Sequence, residues 1–225
     1  MVEVTATMVK ALRTQTGAGM MDCKHALVEA QGDDKKAAEI IQKKGLAKVA
    51  KKAGAIAAEG VVHAYIHPGS RVGVLVEINC QTDFVSRSDE FKALVEDVGL
   101  QIASMSPEFV RREDITEEAI ASQKKIFQGQ IEEEEAASGK KRPEQAVAKI
   151  LEGKLNKWMS EVCLVDQPSI RDEEGRSIQQ LVEALTAKIG EKISIRRFVR
   201  FELGEGIEKK QSDLAAEVAD TLKSS

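Results

Sequence analysis

Between Val72 and Ser88 the chain commits to a strand, a polar loop and the start of a helix in immediate succession. Val72, Val74, Val76 and Ile78 alternate with Gly73, Leu75, Glu77 and Asn79, so one register is wholly β-branched. Strand side chains alternate between faces, and branching at Cβ suits a pleated, covered surface. The strand is thus apolar on one face and largely apolar on the other. It runs straight into Cys80-Gln81-Thr82-Asp83-Phe84-Val85-Ser86-Arg87-Ser88, a polar loop carrying one large aromatic. Ser88 is placed to cap the next helix, with Phe91, Leu94, Val95 and Val98 on its apolar stripe. Phe84 then has two readings. Either it folds back to plug the gap between strand and helix, with Asp83 satisfying loop amides, or the pair projects and Phe84 anchors another protein.

Two further segments share the period of two. Val61 to Ile66 alternates and is joined to the Val72 strand through His67-Pro68-Gly69-Ser70, a turn that makes a hairpin. Ile193 to Leu203 alternates as well, with Ile195, Arg197, Val199 and Phe201 expected on one face and Arg196, Phe198, Arg200 and Glu202 on the other. Three strands from distant segments, separated by helices, predict an α+β fold with a three-stranded antiparallel sheet.

Ahead of the hairpin, residues 1–53 predict a three-helix bundle. Thr5 caps a helix bearing Met8, Val9 and Leu12, and Gly17 to Gly19 end it. A second, Met20 to Ala30, turns Cys23, Ala26, Leu27 and Ala30 inward. A third, Asp34 to Lys44, is expected to close at Gly45 and to lead into a Lys- and Ala-rich connector over 46–59. Met20 and Met21 point about 100° apart on a helix, so both cannot face one core. One lies at the edge, or both serve a partner as pliable exposed contacts.

After the hairpin, Pro107 breaks the Ser88 helix and Thr116 opens a long one with Ala119, Ile120, Ile126, Phe127 and Ile131 as its stripe. Ser138-Gly139 turns the chain, and Pro143 starts a return helix carrying Val147, Ile150, Leu151, Leu155 and Trp158. The predicted helical hairpin spans about 116–162. Ser177 caps a helix to Ile189, and Ser212 caps a last one to about Leu222. The resulting organisation is a bundle at 1–53, an α+β core at 54–204 and a C-terminal helical module at 205–225.

Bulk composition removes several functions. The formal net charge is −4, which disfavours a nucleic-acid binder that works by neutralising phosphates. The local run Lys43, Lys44, Lys48, Lys51 and Lys52 has no aromatic beside it and reads as a solvated helix face. Cys23, Cys80 and Cys163 are odd in number and fit no metal-ligand spacing, so neither a disulfide framework nor a zinc site is encoded. Cys163 is the expected surface cysteine for an intermolecular disulfide in air. With no apolar signal core and no segment of ~18 apolar residues, the expected location is the cytoplasm, with no membrane association. No nucleophile elbow, Gly-rich phosphate loop or His-rich ligand set is present, and no base is placed beside Cys80, so an enzyme is not expected.

Three stretches carry a resemblance. Asn79-Cys80-Gln81-Thr82-Asp83-Phe84-Val85 resembles a signature of the elongation factor Ts family of translation factors. Thr16-Gly17-Ala18-Gly19-Met20-Met21-Asp22-Cys23-Lys24 resembles the family's N-terminal signature, and Phe201-Glu202-Leu203-Gly204-Glu205-Gly206-Ile207-Glu208-Lys209 its C-terminal one. The resemblance implies a guanine-nucleotide exchange factor for elongation factor Tu, with a ubiquitin-associated-like bundle. It implies that Thr82, Asp83, Phe84 and Val85 meet the partner, with Asp83-Phe84 wedged into its GTPase domain to disturb the Mg²⁺ and phosphate site. Leu12, Met20 and Met21 would touch a helix of that domain. His67, in Tyr65-Ile66-His67-Pro68-Gly69, would press on the phosphate loop, although the family pattern lacks Pro68. The chain itself needs no cofactor, because GDP or GTP and Mg²⁺ belong to the partner. Longer family members carry two core subdomains, each with a sheet. Only one set of strands is present here, which raises a homodimer as the way to recover the lost interface.

Overall fold

The computed structural model describes residues 4–207, an α+β fold of a three-helix bundle and a helix-covered antiparallel sheet. Helices α1 (Ala6–Thr16), α2 (Met20–Glu29) and α3 (Asp34–Lys52) form the bundle. The hydroxyl of Thr5 accepts from the Met8 amide, and Gly17 ends α1 in the left-handed conformation. Val9, Leu12, Cys23, Ala26, Leu27, Ala30 and Ala37 make a small, Ala-rich core. One boundary departs from expectation. Gly45 does not close α3, which continues to Lys52. The glycine serves packing: a Cβ there would lie 3.4 Å from Ala187 Cβ on the helix that α3 crosses. Half of the expected connector is therefore helical.

Strands β1 (Glu59–Ile66) and β2 (Val72–Cys80) form the predicted hairpin. The expected loop after β2 contains a short helix, α4 (Asp83–Arg87), and Ser88 then caps α5 (Asp89–Met105) by accepting from the Phe91 amide. Helices α6 (Glu117–Ser138) and α7 (Glu144–Val162) make the helical hairpin. Of its predicted stripe Ile131 and Leu151 are buried, while Ile126 faces solvent. Helix α8 (Ile178–Ile189) follows, and β3 (Ile193–Glu202) completes a sheet of order β1-β2-β3, antiparallel throughout. The expected last helix, capped by Ser212, lies outside the described residues.

The core forms where one sheet face meets α5 and α8. Val74, Val76, Ile78, Cys80, Ile193 and Ile195 pack against Phe91, Val95, Val98, Ile102, Ile178 and Val182. Gly99 permits the close approach of α5 to β1, because a Cβ there would lie 2.9 Å from Tyr65 Cβ. On β3 the strict alternation expected from the sequence fails. The β2–β3 register shifts between Glu77 and Ile78, where Arg197 faces Glu77 and Ile195 faces Ile78. Arg196 is the extra residue of this bulge, which lets two consecutive side chains reach one partner. The Glu77 carboxylate accepts from Arg196 at 2.8 Å and from Arg197 at 2.7 Å. Those two guanidinium groups hold its pKa down at about 2. Beyond the bulge, Val199 and Phe201 lie on the opposite face from Ile195. They join Val62, Ile66 and Leu75 on an exposed apolar surface.

All three cysteines are free and buried. Cys163 is therefore not the surface thiol expected from the sequence. It sits at the end of α7 against Ile115 and Val162, and burial pushes its thiol up to about 11.

Candidate functional site

The polar stretch after β2 is built to present one side chain. Val85 is buried against the sheet core, which pins α4 by one face. Phe84, one position earlier, points about 100° away from it and is 80% exposed. Phe84 is not a plug, because Val85 has taken that place. Asp83 lies in the first turn of α4 and pairs with Arg87 at 2.6 Å. The Ser86 hydroxyl donates to the Asp83 carbonyl at 2.8 Å.

Thr82 stands at the N-cap of α4, yet its side chain makes no cap hydrogen bond. Its hydroxyl donates instead to the Glu191 carboxylate, 2.9 and 3.1 Å from the two oxygens, and its amide donates to the same group at 3.0 Å. The Thr82 carbonyl accepts from Cys80 Sγ at 3.1 Å. Burial raises the pKa of that thiol, with the Glu191 charge as a second cause. The next residue, Lys192, donates its amide to Gln81 Oε1 at 2.9 Å. Nothing local in the sequence announces Glu191. Its only signal is that Ile193 pairs with Cys80, which requires the β2–β3 pairing to be known.

The other expected contacts fall in different places. Leu12 is 1% exposed and belongs to the bundle core, so its side chain does not form surface. Met20 and Met21 are exposed at the start of α2, Met21 at 60%. Asp22 pairs with Lys48 at 3.0 Å and Glu29 with Lys44 at 2.7 Å, so the start of α2 lies beside the C-terminal half of α3. That half leads back to the sheet, where Lys192 Nζ donates to the carbonyls of Ala53 at 2.7 Å and Ala55 at 3.0 Å. The methionines and Phe84 thus approach the same end of the sheet. His67 does not. It sits at the hairpin tip, at the other end of β2, roughly 25 Å away by strand rise. Its ring is half-buried, with Nδ1 3.2 Å from the Tyr65 hydroxyl.

A cleft of about 470 Å³ opens where α3, α8 and β3 meet, lined by Lys52, Arg111, Arg112, Asp166 and Lys192 among others. Its charges are largely spent on each other and on backbone: Arg112 pairs with Asp166, and Arg111 donates to the Ile195 carbonyl. Among the described residues, no three or more His, Cys, Asp or Glu side chains come together as a metal-binding group. No helix of the described residues is long and apolar enough to cross a membrane. The arrangement offers a protruding aromatic on a braced helix and two exposed methionines.

A family model described as elongation factor TS matches residues 3–205. The chain is 53% identical over 223 residues to an elongation factor Ts of Desulforamulus reducens, covering 99% of this chain and 100% of that protein. It is 54% identical over 220 residues to that of Carboxydothermus hydrogenoformans, covering 98% of each. With that of Geobacter metallireducens it shares 48% identity over 216 residues, 96% of this chain and 97% of the relative. These relatives are matched almost end to end, so they share its short length.

Proposed function

The chain belongs to the elongation factor Ts family, and we propose that it is the guanine-nucleotide exchange factor of elongation factor Tu in the cytoplasm. It binds the GDP-bound partner, drives Phe84 between helices of the GTPase domain behind the switch region and speeds GDP release. The observation that carries this is the exposure of Phe84 beside a buried, fixed Val85. A large apolar ring held in water by a rigid mount gains its burial only when a partner arrives.

The protein performs no bond chemistry and acts by differential binding. If it holds the nucleotide-free partner better than the GDP-bound one, GDP binds the complex more weakly by the same factor. A thousandfold loosening requires about 4 kcal/mol of differential contact. Full burial of one Phe contributes roughly 1.5–3 kcal/mol. Disturbing the Mg²⁺ that bridges the partner's phosphates supplies the rest. Asp83 holds the displaced segment.

Residues 1–53 form the docking module, which rests through α3 on α8 of the α+β core at 54–204, with residues 205–225 as a C-terminal module. Met20 and Met21 touch the GTPase domain, while Leu12 supports them from within. Direct nucleic-acid binding is no part of this function. Release of a fluorescent GDP from elongation factor Tu, with and without the protein, tests it. Uncatalysed release at every concentration of the protein refutes it.

A second contact is favoured by the outer sheet face. Val62, Ile66, Leu75, Val199 and Phe201 stand together in the sheet register and are exposed, Phe201 at 68%. A second copy of the chain, seated face to face, covers this surface and replaces the sheet packing of longer family members. Sedimentation should give a dimer that Phe201→Lys converts to a folded monomer whose melting temperature no longer depends on protein concentration. A wild-type monomer at all concentrations removes the dimer.

A further inference from the structure

We infer that Glu191 is the positioning residue of the exchange element, holding Asp83-Phe84 in place through Thr82. The inference rests on the exchange role given above to Phe84 and names what makes that side chain effective.

Helix α4 has five residues, far below the length at which a helix persists alone in water. Its place depends on anchors. Val85 fixes one face through the core, and that contact leaves the N-terminal end of α4 free to swing. One side chain from far along the chain, brought to the same corner of the sheet by the pairing of Cys80 with Ile193, closes that freedom. After α8 ends at Gly190, two residues precede β3, and both turn toward the exchange element. Glu191 takes the amide and hydroxyl protons of Thr82 at 2.9–3.1 Å. Lys192 gives its amide proton to Gln81. From the other side, the Cys80 thiol donates to the Thr82 carbonyl. Thr82 is gripped at its amide, hydroxyl and carbonyl.

The grip comes at the expense of an ordinary function. A threonine before a helix normally accepts from the helix's own first-turn amides, and Thr82 does not. Its hydroxyl is committed to Glu191 instead. This arrangement fixes the helix to the sheet corner rather than stabilising the helix as such. A ring pre-set in its bound position avoids an ordering cost when it enters the partner. Loss of Glu191 should therefore slow the step in which Phe84 enters, and should leave first docking through the bundle intact.

Three variants test this on the full chain: Glu191→Ala, Glu191→Gln and Thr82→Val. GDP release from elongation factor Tu is measured against concentration of the protein, alongside amide hydrogen exchange at residue 82. For Glu191→Ala the expected result is a saturating rate about tenfold lower, with the half-saturating concentration changed less than twofold. The Thr82 amide should exchange faster. Glu191→Gln keeps an acceptor for the amide and should recover most of the rate and protection. Thr82→Val loses the hydroxyl bonds alone and should fall between, which keeps the test intact if Glu191→Ala fails to fold. Phe84→Ala/Glu191→Ala should be no slower than Phe84→Ala, since both changes disable one element. A wild-type rate in Glu191→Ala or Thr82→Val, with the amide at position 82 deprotected and Phe84→Ala slow, overturns the positioning role alone. A wild-type rate in Phe84→Ala overturns the exchange role of that ring, and with it this inference.

Discussion

Truncating Phe84 to Ala separates the stability of this protein from its action on a partner. The ring is 80% exposed, so about one fifth of its surface is buried in the free protein. Full burial of a Phe side chain is worth roughly 1.5–3 kcal/mol. Phe84→Ala therefore removes about 0.3–0.6 kcal/mol of this protein's own stability. In a domain of this size 1 kcal/mol shifts the melting temperature by about 2–4 °C, so the expected fall is within about 2 °C. In the proposed wedge the remaining four fifths is buried against the partner, worth about 1.2–2.4 kcal/mol. At 1.4 kcal/mol per factor of ten, catalysed GDP release should drop roughly 7- to 50-fold. The assay is stopped-flow release of a fluorescent GDP from elongation factor Tu, beside thermal melts of both proteins. Asp83→Ala should slow release as well, and the double variant should fall short of the product of the two effects. A Phe84→Ala protein that melts several degrees early and still releases GDP at the wild-type rate refutes the reasoning.

The bundle should divide its labour. Leu12→Ala costs about 2–5 kcal/mol by opening a cavity, whereas Met20→Ala and Met21→Ala change stability by within about 0.5 kcal/mol and weaken docking several-fold, checked by melts and by titration onto the partner. Glu77 carries a pH signature. Its folded pKa lies at about 2 against an ordinary 4.5, so its contribution is complete above about 4.5 and disappears as pH falls toward 2. The gap in melting temperature between wild type and Glu77→Gln should accordingly close between pH 5 and pH 2. The thiols should react slowly with a disulfide reagent in the native state, Cys163 slowest, and rapidly once the chain is denatured. A fast native phase counts against their burial.

Much of this architecture was legible because its cues are local. Thr5, Ser88, Thr116 and Ser177 each cap the helix expected of them, and the β-branched register of β2 forms the buried face. The misreadings share a cause, which is that tertiary neighbours reassigned a local signal. Gly45 reads as a stop and is a contact point, since Ala187 of α8 lies against it. Regular alternation over 193–203 puts Ile195 with Phe201, and a bulge breaks it at Arg196, where two consecutive arginines meet Glu77. Cys163 was expected at the surface, while Ile115, far earlier in the chain, helps to cover it. At the candidate site, the sequence left Phe84 open between plug and projection. The five-residue helix settles this by turning Val85 inward. Glu191 was not found from sequence because its partner Thr82 is remote and Glu191 itself belongs to no local pattern.

The sheet order has a consequence for how the protein is made. β2 pairs on one edge with its neighbour in the hairpin, but on the other with β3, so that Cys80 meets Ile193 and Val72 meets Glu202. Roughly half of the chain is synthesised between the two strands. At about 5–20 residues per second, the second edge of β2 waits on the order of 6–22 s for its partner. During that interval the nascent chain presents an unpaired, β-branched edge beside a formed hairpin, which is a template for wrong pairing. Helices α5 to α8 emerge in the same interval, and α5, first out, can shield the inner face of β2 but not its edge. Maturation is thus gated by the last strand, and a ribosome pause placed just before Ile193 should lengthen the window in which this protein aggregates.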